Sequence, residues 1–312
     1  MEKTPRILAN PEVAAAFQVL TKRLSRPDLR LLLELATNEH VAEVTPLALI
    51  QQQQTDRFCE PSSGDAVALA QAAATSLVTA TDSGFTAIQL STLAPLGASP
   101  YFSYLSQSNV MTTAGMSEVA TDPTNALALI GATRRRPMRD RAEVTRLSAA
   151  QRVTRRRQFD APGALPHFAM LGLVSIGPDP GKRRFEVSEI RSQVAVLTAV
   201  VAAVNPRCEV RIEVSDNSGR RDQADALAAS LSTLARTDLG PTQQDAARYH
   251  PDLSARVFAS ANDDFLEIGN TGATLFSNEF TGARERMVAS RLGLDQVLDL
   301  TLRHRSRPAT RW

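Results

Sequence analysis

The residues best suited to chemistry lie in an arginine-rich stretch, from Arg152 to Gly177, whose sequence is typical of two strands joined by a loop. Three consecutive arginines, Arg155 to Arg157, follow the first strand, and His167 and Phe168 begin the second. Guanidinium groups pair with phosphates and an aromatic ring stacks on a base, so the pattern suits a phosphorylated planar ligand such as a nucleotide. The alternative interpretation is a solvated run of arginines beside a core strand.

A β-hairpin would position these side chains. The segment Asp160 to Gly163 has residues typical of a turn, and the apolar run from Ala169 to Val174 indicates a strand that is buried on both faces. We expect the hairpin to place the arginines at the edge of a central sheet, facing the loop that carries the histidine and the phenylalanine.

A second candidate site lies upstream, where Val119 to Thr124 enters a short helix, Ala126 to Ala132. Asp122 and Thr124 offer a carboxylate and a hydroxyl at this strand-to-helix junction, which suits an amino group or another polar end of a substrate. The same residues are also good helix N-caps. The sequence leaves both interpretations open.

Composition predicts a folded globular protein of one or two domains, with 312 residues, 43% hydrophobic residues and a net charge of +2. Cys59 and Cys208 have neither metal-ligand nor redox spacing, and no apolar leader follows the charged start, so we expect a reducing cytoplasm and no metal site. The longest apolar segment, Val194 to Val204, is better explained as a buried helix than as a membrane span. Clusters of arginine leave a nucleic-acid partner open.

The pattern along the chain predicts helices first and a mixed region afterwards. Helices are predicted from Pro11 to Gln54, Ala66 to Thr79 with Asp65 as N-cap, Glu186 to Val204 and Asp222 to Arg236. Strands are predicted at Phe85 to Leu90, which leads to Leu93-Ala94-Pro95, and at Cys208 to Val214. Three more are predicted at Ala255 to Ser260, Phe265 to Ile268 and Ala273 to Phe276, around Gly269-Asn270-Thr271-Gly272.

The order of these segments resembles the catalytic domain of class II aminoacyl-tRNA synthetases, especially the histidyl and phenylalanyl branches. Gly84 to Pro95 looks like motif 1, the hairpin like motif 2, and Ala289 to Leu300 like motif 3. The resemblance covers roughly Ala66 to Leu302. It implies an α+β fold with a mostly antiparallel sheet flanked by helices, in which an N-terminal helical segment (1–60) precedes the synthetase-like domain (61–312).

The resemblance also implies roles for individual residues. Arg155 would contact the α-phosphate of ATP and the substrate carboxylate, Phe168 would lie under the adenine, and His167 would hold the loop or the terminal phosphates. Arg155 and His167 are therefore the candidate catalytic residues. Asp122, Thr124 and Gln158 would bind the substrate, and the segment Ala66 to Pro95 would form a homodimer interface.

Two departures bear on the cofactors, ATP and magnesium, that the family implies. Gln296 stands where motif 3 has the arginine that clamps ATP, and an amide does not replace a guanidinium fork, although Arg291 or Arg286 could substitute from nearby. The acid of motif 2 is also missing, with Arg157 or Gln158 near its place. We further expect no anticodon-binding domain after motif 3.

Three functions follow from these features. The first is a synthetase paralogue that adenylates an amino acid and transfers it to a non-standard acceptor, such as a small molecule, a carrier protein or an RNA end. The second is a catalytically lapsed paralogue that senses an amino acid or regulates a partner, which Gln296 and the missing acid favour. The third, supported only by the arginine clusters, is a nucleic-acid-binding accessory protein.

Overall fold

The computed structural model describes residues 6–103, 105–138, 140–156, 165–178, 180–218, 221–241, 252–260, 264–276 and 278–305. The helices are α1 (Pro11–Lys22), α2 (Arg26–Ala42), α3 (Pro46–Thr55), α4 (Ala66–Asp82), α5 (Ala98–Ser103), α6 (Pro123–Arg135), α7 (Arg184–Val204), α8 (Arg221–Leu231), α9 (Asn278–Thr281) and α10 (Leu294–Arg305). The strands are β1 (Thr86–Ala87), β2 (Leu93–Pro95), β3 (Ser117–Val119), β4 (Thr145–Thr154), β5 (His167–Pro178), β6 (Glu209–Asp216), β7 (Arg236–Leu239), β8 (Leu253–Ser260), β9 (Leu266–Phe276) and β10 (Glu285–Gly293).

The three N-terminal helices begin where the sequence supplies capping residues. The side chains of Asn10, Ser25 and Thr45 accept hydrogen bonds from first-turn amides, and each helix has a proline in its first two positions. No residue of these helices is buried in the structure. The predicted helices between Pro11 and Gln54 are confirmed, whereas a domain boundary near residue 60 stays a prediction.

The main sheet has eight strands in the order β1-β4-β5-β10-β9-β8-β6-β7. The two outermost pairs, β1 with β4 and β6 with β7, are parallel, and all the inner pairs are antiparallel. The strand pairing of the predicted hairpin is confirmed, because β4 and β5 pair from Thr145 opposite Ile176 to Thr154 opposite His167. The turn predicted at Asp160 to Gly163 lies outside the described residues. A separate two-stranded sheet joins β2 to β3.

Some predicted elements differ from those observed. The predicted strands Phe265 to Ile268 and Ala273 to Phe276 are one continuous strand, β9, because its ladders with β8 and β10 both run through Gly269 to Gly272. Gly269 is needed there for close approach rather than for a turn, since a Cβ atom on it would lie 2.5 Å from the carbonyl oxygen of Arg291. The ladder with β8 shifts register between Val257 and Phe258, which face Gly269 and Glu267, so Ile268 of β9 is the extra residue of a β-bulge.

Two further predicted elements are shorter than expected. The run Phe85 to Leu90 contributes only the short strand β1, which pairs with β4 at Leu147 and Ser148. The helix predicted to reach Arg236 ends at Leu231. Arg236 instead begins β7, whose pairing with β6 supplies the hydrogen bonds that a longer helix would have supplied.

Helix α7 covers one face of the sheet. Its length and hydropathy would allow it to cross a membrane, but its inward side chains, including Ile190, Val194 and Leu197, are buried in the main core. A polar residue fixes its position: the Nε2 atom of Gln193 donates to Ser175 at 2.8 Å and to the carbonyl oxygen of Val288 at 3.0 Å, while Ser290 donates to its Oε1 atom. Since buried polar groups must be paired, these hydrogen bonds fix one position of α7 on the sheet.

Helix α6 covers part of the opposite face. Its side chains Leu127 and Ala128 pack in a second core with Leu147, Val174 and Met287 of β4, β5 and β10. Farther along this face, β9, β8 and β6 carry charged, amide and aromatic side chains. The start of α6 lies at the border between this second core and the polar part of the face.

Candidate functional site

The candidate site is built where four elements meet. Asp122 is the N-cap of α6, Arg155 follows the last residue of β4, Phe168 is the second residue of β5, and Arg291 lies near the end of β10. Gly172 of β5 lies beneath the start of α6, where a Cβ atom would stand 2.7 Å from Cγ of Pro123. The absence of a side chain at Gly172 therefore lets α6 bring Asp122 down onto the sheet.

We predict that Gly172→Ala lowers the free energy of unfolding by about 1–3 kcal/mol, because the new methyl group overpacks against Pro123 and displaces the start of α6. Gly115→Ala is the matched control, since its Cβ atom would make only an ordinary contact of 3.5 Å with Thr113. Urea denaturation followed by circular dichroism measures both variants. Equal midpoints for the two would contradict the close approach at Gly172.

Asp122 is the centre of the site, and it is almost completely buried. Its Oδ1 atom accepts hydrogen bonds from the amide and the hydroxyl of Thr124, at 2.9 and 2.7 Å. Its Oδ2 atom accepts from Nε of Arg291 and lies 3.4 Å from Nη2 of Arg155. Asp122 is thus both a helix N-cap and the shared partner of two arginines, which confirms the N-cap interpretation, while the substrate-binding role of Asp122 and Thr124 stays a prediction.

The charge of Asp122 is fixed by its neighbours. Burial opposes ionisation of the carboxyl group, but the guanidinium groups of Arg291 and Arg155, with the hydrogen bonds from Thr124, outweigh burial and hold its pKa below the ordinary value. The carboxylate is therefore charged at neutral pH. Together with its two arginines, it leaves this cluster a net charge of +1.

Arg155 makes contacts on several sides. Its Nε atom donates to the carbonyl oxygen of Thr121 at 3.0 Å, and its guanidinium carbon lies 5.3 Å from the centre of the Phe168 ring. This distance is that of a cation–π contact. The predicted platform for an adenine base, Phe168, is therefore in contact with a side chain of the same protein.

His167 holds the start of β5 to the segment that precedes α4. Its Nδ1 atom lies 2.7 Å from Nη2 of Arg152, and its Nε2 atom lies 2.7 Å from the carbonyl oxygen of Glu60. Since arginine only donates and a carbonyl oxygen only accepts, Nδ1 accepts and Nε2 carries the proton. The imidazole is thus bonded within the protein on both nitrogens, and its catalytic role stays a prediction.

The motif 3 segment forms the predicted strand-to-helix passage from β10 to α10. Asp295, in the first turn of α10, accepts a hydrogen bond of 2.5 Å from the amide of Ala169 and so extends the pairing of β5 beyond Gly293, the last residue of β10. Gln296 is exposed. Gln158 and Arg157 lie outside the described residues. In the described parts of the chain no group of three His, Cys, Asp or Glu side chains is arranged to hold a metal ion.

Sequence reasoning missed a row of polar side chains that continues the site across the sheet. Arg291 pairs with Asn270, Asn270 with Arg256, and Arg256 with Glu213, on the neighbouring strands β10, β9, β8 and β6. Directly opposed residues point to the same side of a sheet. We call these four residues the polar row. It begins at Arg291, the arginine bonded to Asp122.

Charged and aromatic side chains flank the polar row. Arg256 is bonded to Glu213 and lies 3.4 Å from Glu267, and burial raises the pKa of Glu267 despite this arginine. The ring of Phe258 lies between the guanidinium groups of Arg211 and Arg256, at 5.0 and 5.1 Å. The alternation of apolar and charged residues from Cys208 to Val214 indicates that one face of this strand is polar. The strand pairing is needed to show that this face continues to Arg291 and Asp122.

Comparison with known proteins gives structural relatives only. No family model matches the sequence, and no curated protein is similar to it. The structure is similar to an ATP phosphoribosyltransferase regulatory subunit/histidyl-tRNA synthetase from Bacillus halodurans, with a TM-score of 0.59 and 12% identity over 77% of this chain and 82% of the other. It is also similar to histidyl-tRNA synthetase from S. aureus, with a TM-score of 0.59 and 10% identity over 80% and 70% of the two chains.

A third similar structure belongs to the ATP phosphoribosyl transferase (HisG:HisZ) complex from Thermotoga maritima, with a TM-score of 0.53 and 10% identity over 74% of this chain and 98% of the other. Identities this low show the fold alone. The central sheet and its flanking helices agree with these relatives. The chain therefore has the α+β fold of the class II aminoacyl-tRNA synthetase catalytic domain, as the resemblance in sequence predicts.

Proposed function

We propose that this chain is a catalytically lapsed synthetase-like subunit that binds an amino acid without activating it and regulates a partner protein. The observation that carries the proposal is the pairing of both Arg155 and Arg291 with the buried carboxylate of Asp122. An enzyme that activates amino acids needs such guanidinium groups for the phosphates of ATP. Here an internal anion is bonded to them.

The charge of the cluster supports a small ligand. A net charge of +1 matches a single carboxylate, whereas the triphosphate of ATP carries several negative charges and would compete with Asp122 for the same arginines. The side chain of Arg155 is 28% exposed, which leaves part of its guanidinium group at the surface for a ligand carboxylate. Gln296 in place of an arginine further weakens the case for ATP.

The arginine clusters give less support to a nucleic-acid partner than their number in the sequence indicates. Arg135 is completely buried, and Arg183 is nearly so. Arg135 pairs with Glu285, and Arg183 pairs with Asp216 and Asp252. Arginines that are buried and paired cannot also contact phosphates of a nucleic acid.

Two of the similar structures offer a precedent for a regulatory role of this fold. One is described as a regulatory subunit of ATP phosphoribosyltransferase or a histidyl-tRNA synthetase, and another belongs to a complex of two different proteins. The fold is therefore used in a protein that works with a partner of another kind. An adenylating ligase remains the second candidate, because Arg155, Phe168 and Arg291 still lie together.

Calorimetric titration distinguishes these candidates. We expect one amino acid from a mixture to bind saturably without ATP. We expect Arg155→Ala to weaken this binding by about 10- to 100-fold, because the variant loses one pair of charge-assisted hydrogen bonds to the ligand. Arg156→Ala, which removes an exposed neighbouring arginine, is the matched control. Saturable binding of ATP with magnesium that Arg155→Ala abolishes would instead support the ligase.

A further inference from the structure

The two residues that suit an amino group by type, Asp122 and Thr124, already use their hydrogen-bond acceptors. A carboxylate has about four lone-pair sites, and those of Asp122 are used within the protein. Its Oδ1 atom accepts from the amide and the hydroxyl of Thr124, and its Oδ2 atom accepts from Arg291 and Arg155. The hydroxyl of Thr124 in turn accepts from Nη2 of Arg291 at 2.9 Å. A ligand ammonium group therefore cannot bond to Asp122 without displacing one of these donors.

The backbone oxygens that precede Asp122 are used in the same way. The carbonyl oxygen of Ala120 accepts from the amide of Thr154 at 2.9 Å, and that of Thr121 accepts from Nε of Arg155 at 3.0 Å. A donor that loses its water without gaining an acceptor is costly to bury. The junction at the start of α6 is thus a poor environment for an ammonium group.

Three carboxylates on neighbouring elements are also bonded within the fold. Asp295 of α10 accepts from the amide of Ala169 at 2.5 Å, and Glu213 and Glu267 pair with Arg256. In the polar row, Arg256 lies two strands from Arg291, about 10 Å at the usual strand spacing. These three carboxylates therefore do not replace Asp122 as a partner for an ammonium group.

The cluster offers donors to a ligand instead. A guanidinium group donates hydrogen bonds and accepts none, and those of Arg155 and Arg291 share the single carboxylate of Asp122. Their side chains are 28% and 12% exposed, so a ligand meets cationic donors where it reaches the cluster. The net charge of +1 attracts a carboxylate and repels an ammonium group. The cluster therefore discriminates between the two charged groups of an amino acid.

We infer that this site recognises the α-carboxylate of its ligand and not the α-ammonium group, so that N-acylated amino acids are better ligands than free ones. Acylation turns the charged nitrogen into a neutral amide, which has no charge to desolvate and none for the two arginines to repel. A small N-acyl amino acid and the last residue of a peptide share this chemistry. The inference rests on the proposed function, in which Arg155 binds the ligand carboxylate, and it narrows the class of ligand.

Calorimetric titration of the full chain with each standard amino acid, its N-acetyl derivative and its amide tests the inference. Whichever side chain is selected, we expect the acetylated form to bind at least as tightly as the free form, by up to about 10-fold. The amide should bind about 10- to 100-fold more weakly, because it loses the charge-assisted bonds of the carboxylate. An N-acetyl tripeptide that ends in the selected residue separates the two sources. Tighter binding than the N-acetyl amino acid assigns the ligand to a peptide end, and weaker binding assigns it to a small molecule.

The outcomes separate this inference from the proposed function. If the free form binds more tightly than the acetylated form, the des-amino acid, which adds no atoms, decides the cause. Weaker binding of the des-amino acid as well shows that the ammonium group is recognised, and this overturns the inference while the proposed function stands. Undiminished binding supports recognition by the carboxylate alone and excludes the acyl ligand. If no compound binds in any form, the proposed function fails and the inference fails with it.

A pair of variants checks which group of the ligand the arginine contacts. Arg155→Ala should weaken the free and the acetylated form by the same factor, since both present the same carboxylate. Arg156→Ala, the exposed neighbour, should leave both affinities unchanged. A loss in Arg155→Ala that is confined to the free form would contradict recognition through the carboxylate.

Discussion

Asp122→Asn is expected to lower the free energy of unfolding by about 3–5 kcal/mol, the cost of removing one partner from a buried charged cluster. Asparagine keeps the shape and the helix cap but loses the charge that both arginines face. Arg155 and Arg291 would then be like charges without their shared anion. The same change is expected to create affinity for phosphate or ATP, because the arginines lose their internal competitor.

The stabilisation from Asp122 should also depend on pH. Its pKa is lowered in the folded protein, so its contribution is fully present above the unfolded value, near 3.8, and is lost as the pH falls through the lower folded value. Asparagine does not titrate. The difference in stability between wild type and variant should therefore be constant near neutral pH and shrink below about pH 4.

Urea denaturation at several pH values, with calorimetric titration of ATP, measures both effects. Asp65→Asn is the matched control, because Asp65 is an exposed N-cap of α4 and asparagine caps a helix equally well. If Asp122→Asn were no less stable than Asp65→Asn, the structural role of the cluster would be refuted. If it were unstable yet bound no phosphate, the cluster would be structural, and the proposed competition between Asp122 and a phosphate ligand would be refuted.

Arg135→Ala is the second variant with a large expected effect, again a loss of about 3–5 kcal/mol. The guanidinium group of Arg135 is completely buried and lies 2.7 Å from the carboxylate of Glu285. It also donates to the carbonyl oxygens of Glu143 and Arg141, at 2.6 and 3.0 Å. Of the cations paired with this carboxylate in the described part of the chain, its removal would leave Arg141, at 3.5 Å.

The control for this variant is Arg134→Ala, which removes an exposed arginine from the same last turn of α6. Denaturation midpoints should fall strongly for Arg135→Ala and little for the control. A double variant, Arg135→Met with Glu285→Met, should recover part of the loss, because replacing both charges removes the unpaired carboxylate. Similar midpoints for the two single variants would show that the buried pair contributes little.

Local sequence patterns predicted the elements of the fold more fully than the site. The β4–β5 hairpin follows from turn residues and an apolar run, and the passage from β10 to α10 follows from Gly293 and the apolar helix after it. The bond between Asp122 and Arg291 joins residues that lie 169 positions apart. The spacing of apolar residues along the sequence cannot predict this pairing, because it depends on how α6 packs over Gly172.

Charge pairing also limits what a cluster of arginines indicates about function. Arg134 to Arg136 are consecutive, yet Arg135 alone turns inward while its neighbours are exposed. On a helix, adjacent residues point about 100° apart, so a run of three always divides between faces. The split of β9 into two predicted strands had a related cause, because glycines that allow close approach to a neighbouring strand have the same signature as a turn.

The polar row has a consequence for how this chain can change during evolution. Each of its members reaches the same side of the sheet only because four strands keep their register, and a shift of one residue turns every side chain of a strand to the other face. A single inserted or deleted residue within β8, β9 or β10 would move Arg256, Asn270 or Arg291 into the core beneath α7. Substitutions can therefore change the chemistry of this face while the register is kept, whereas length variation must be confined to the connections between strands.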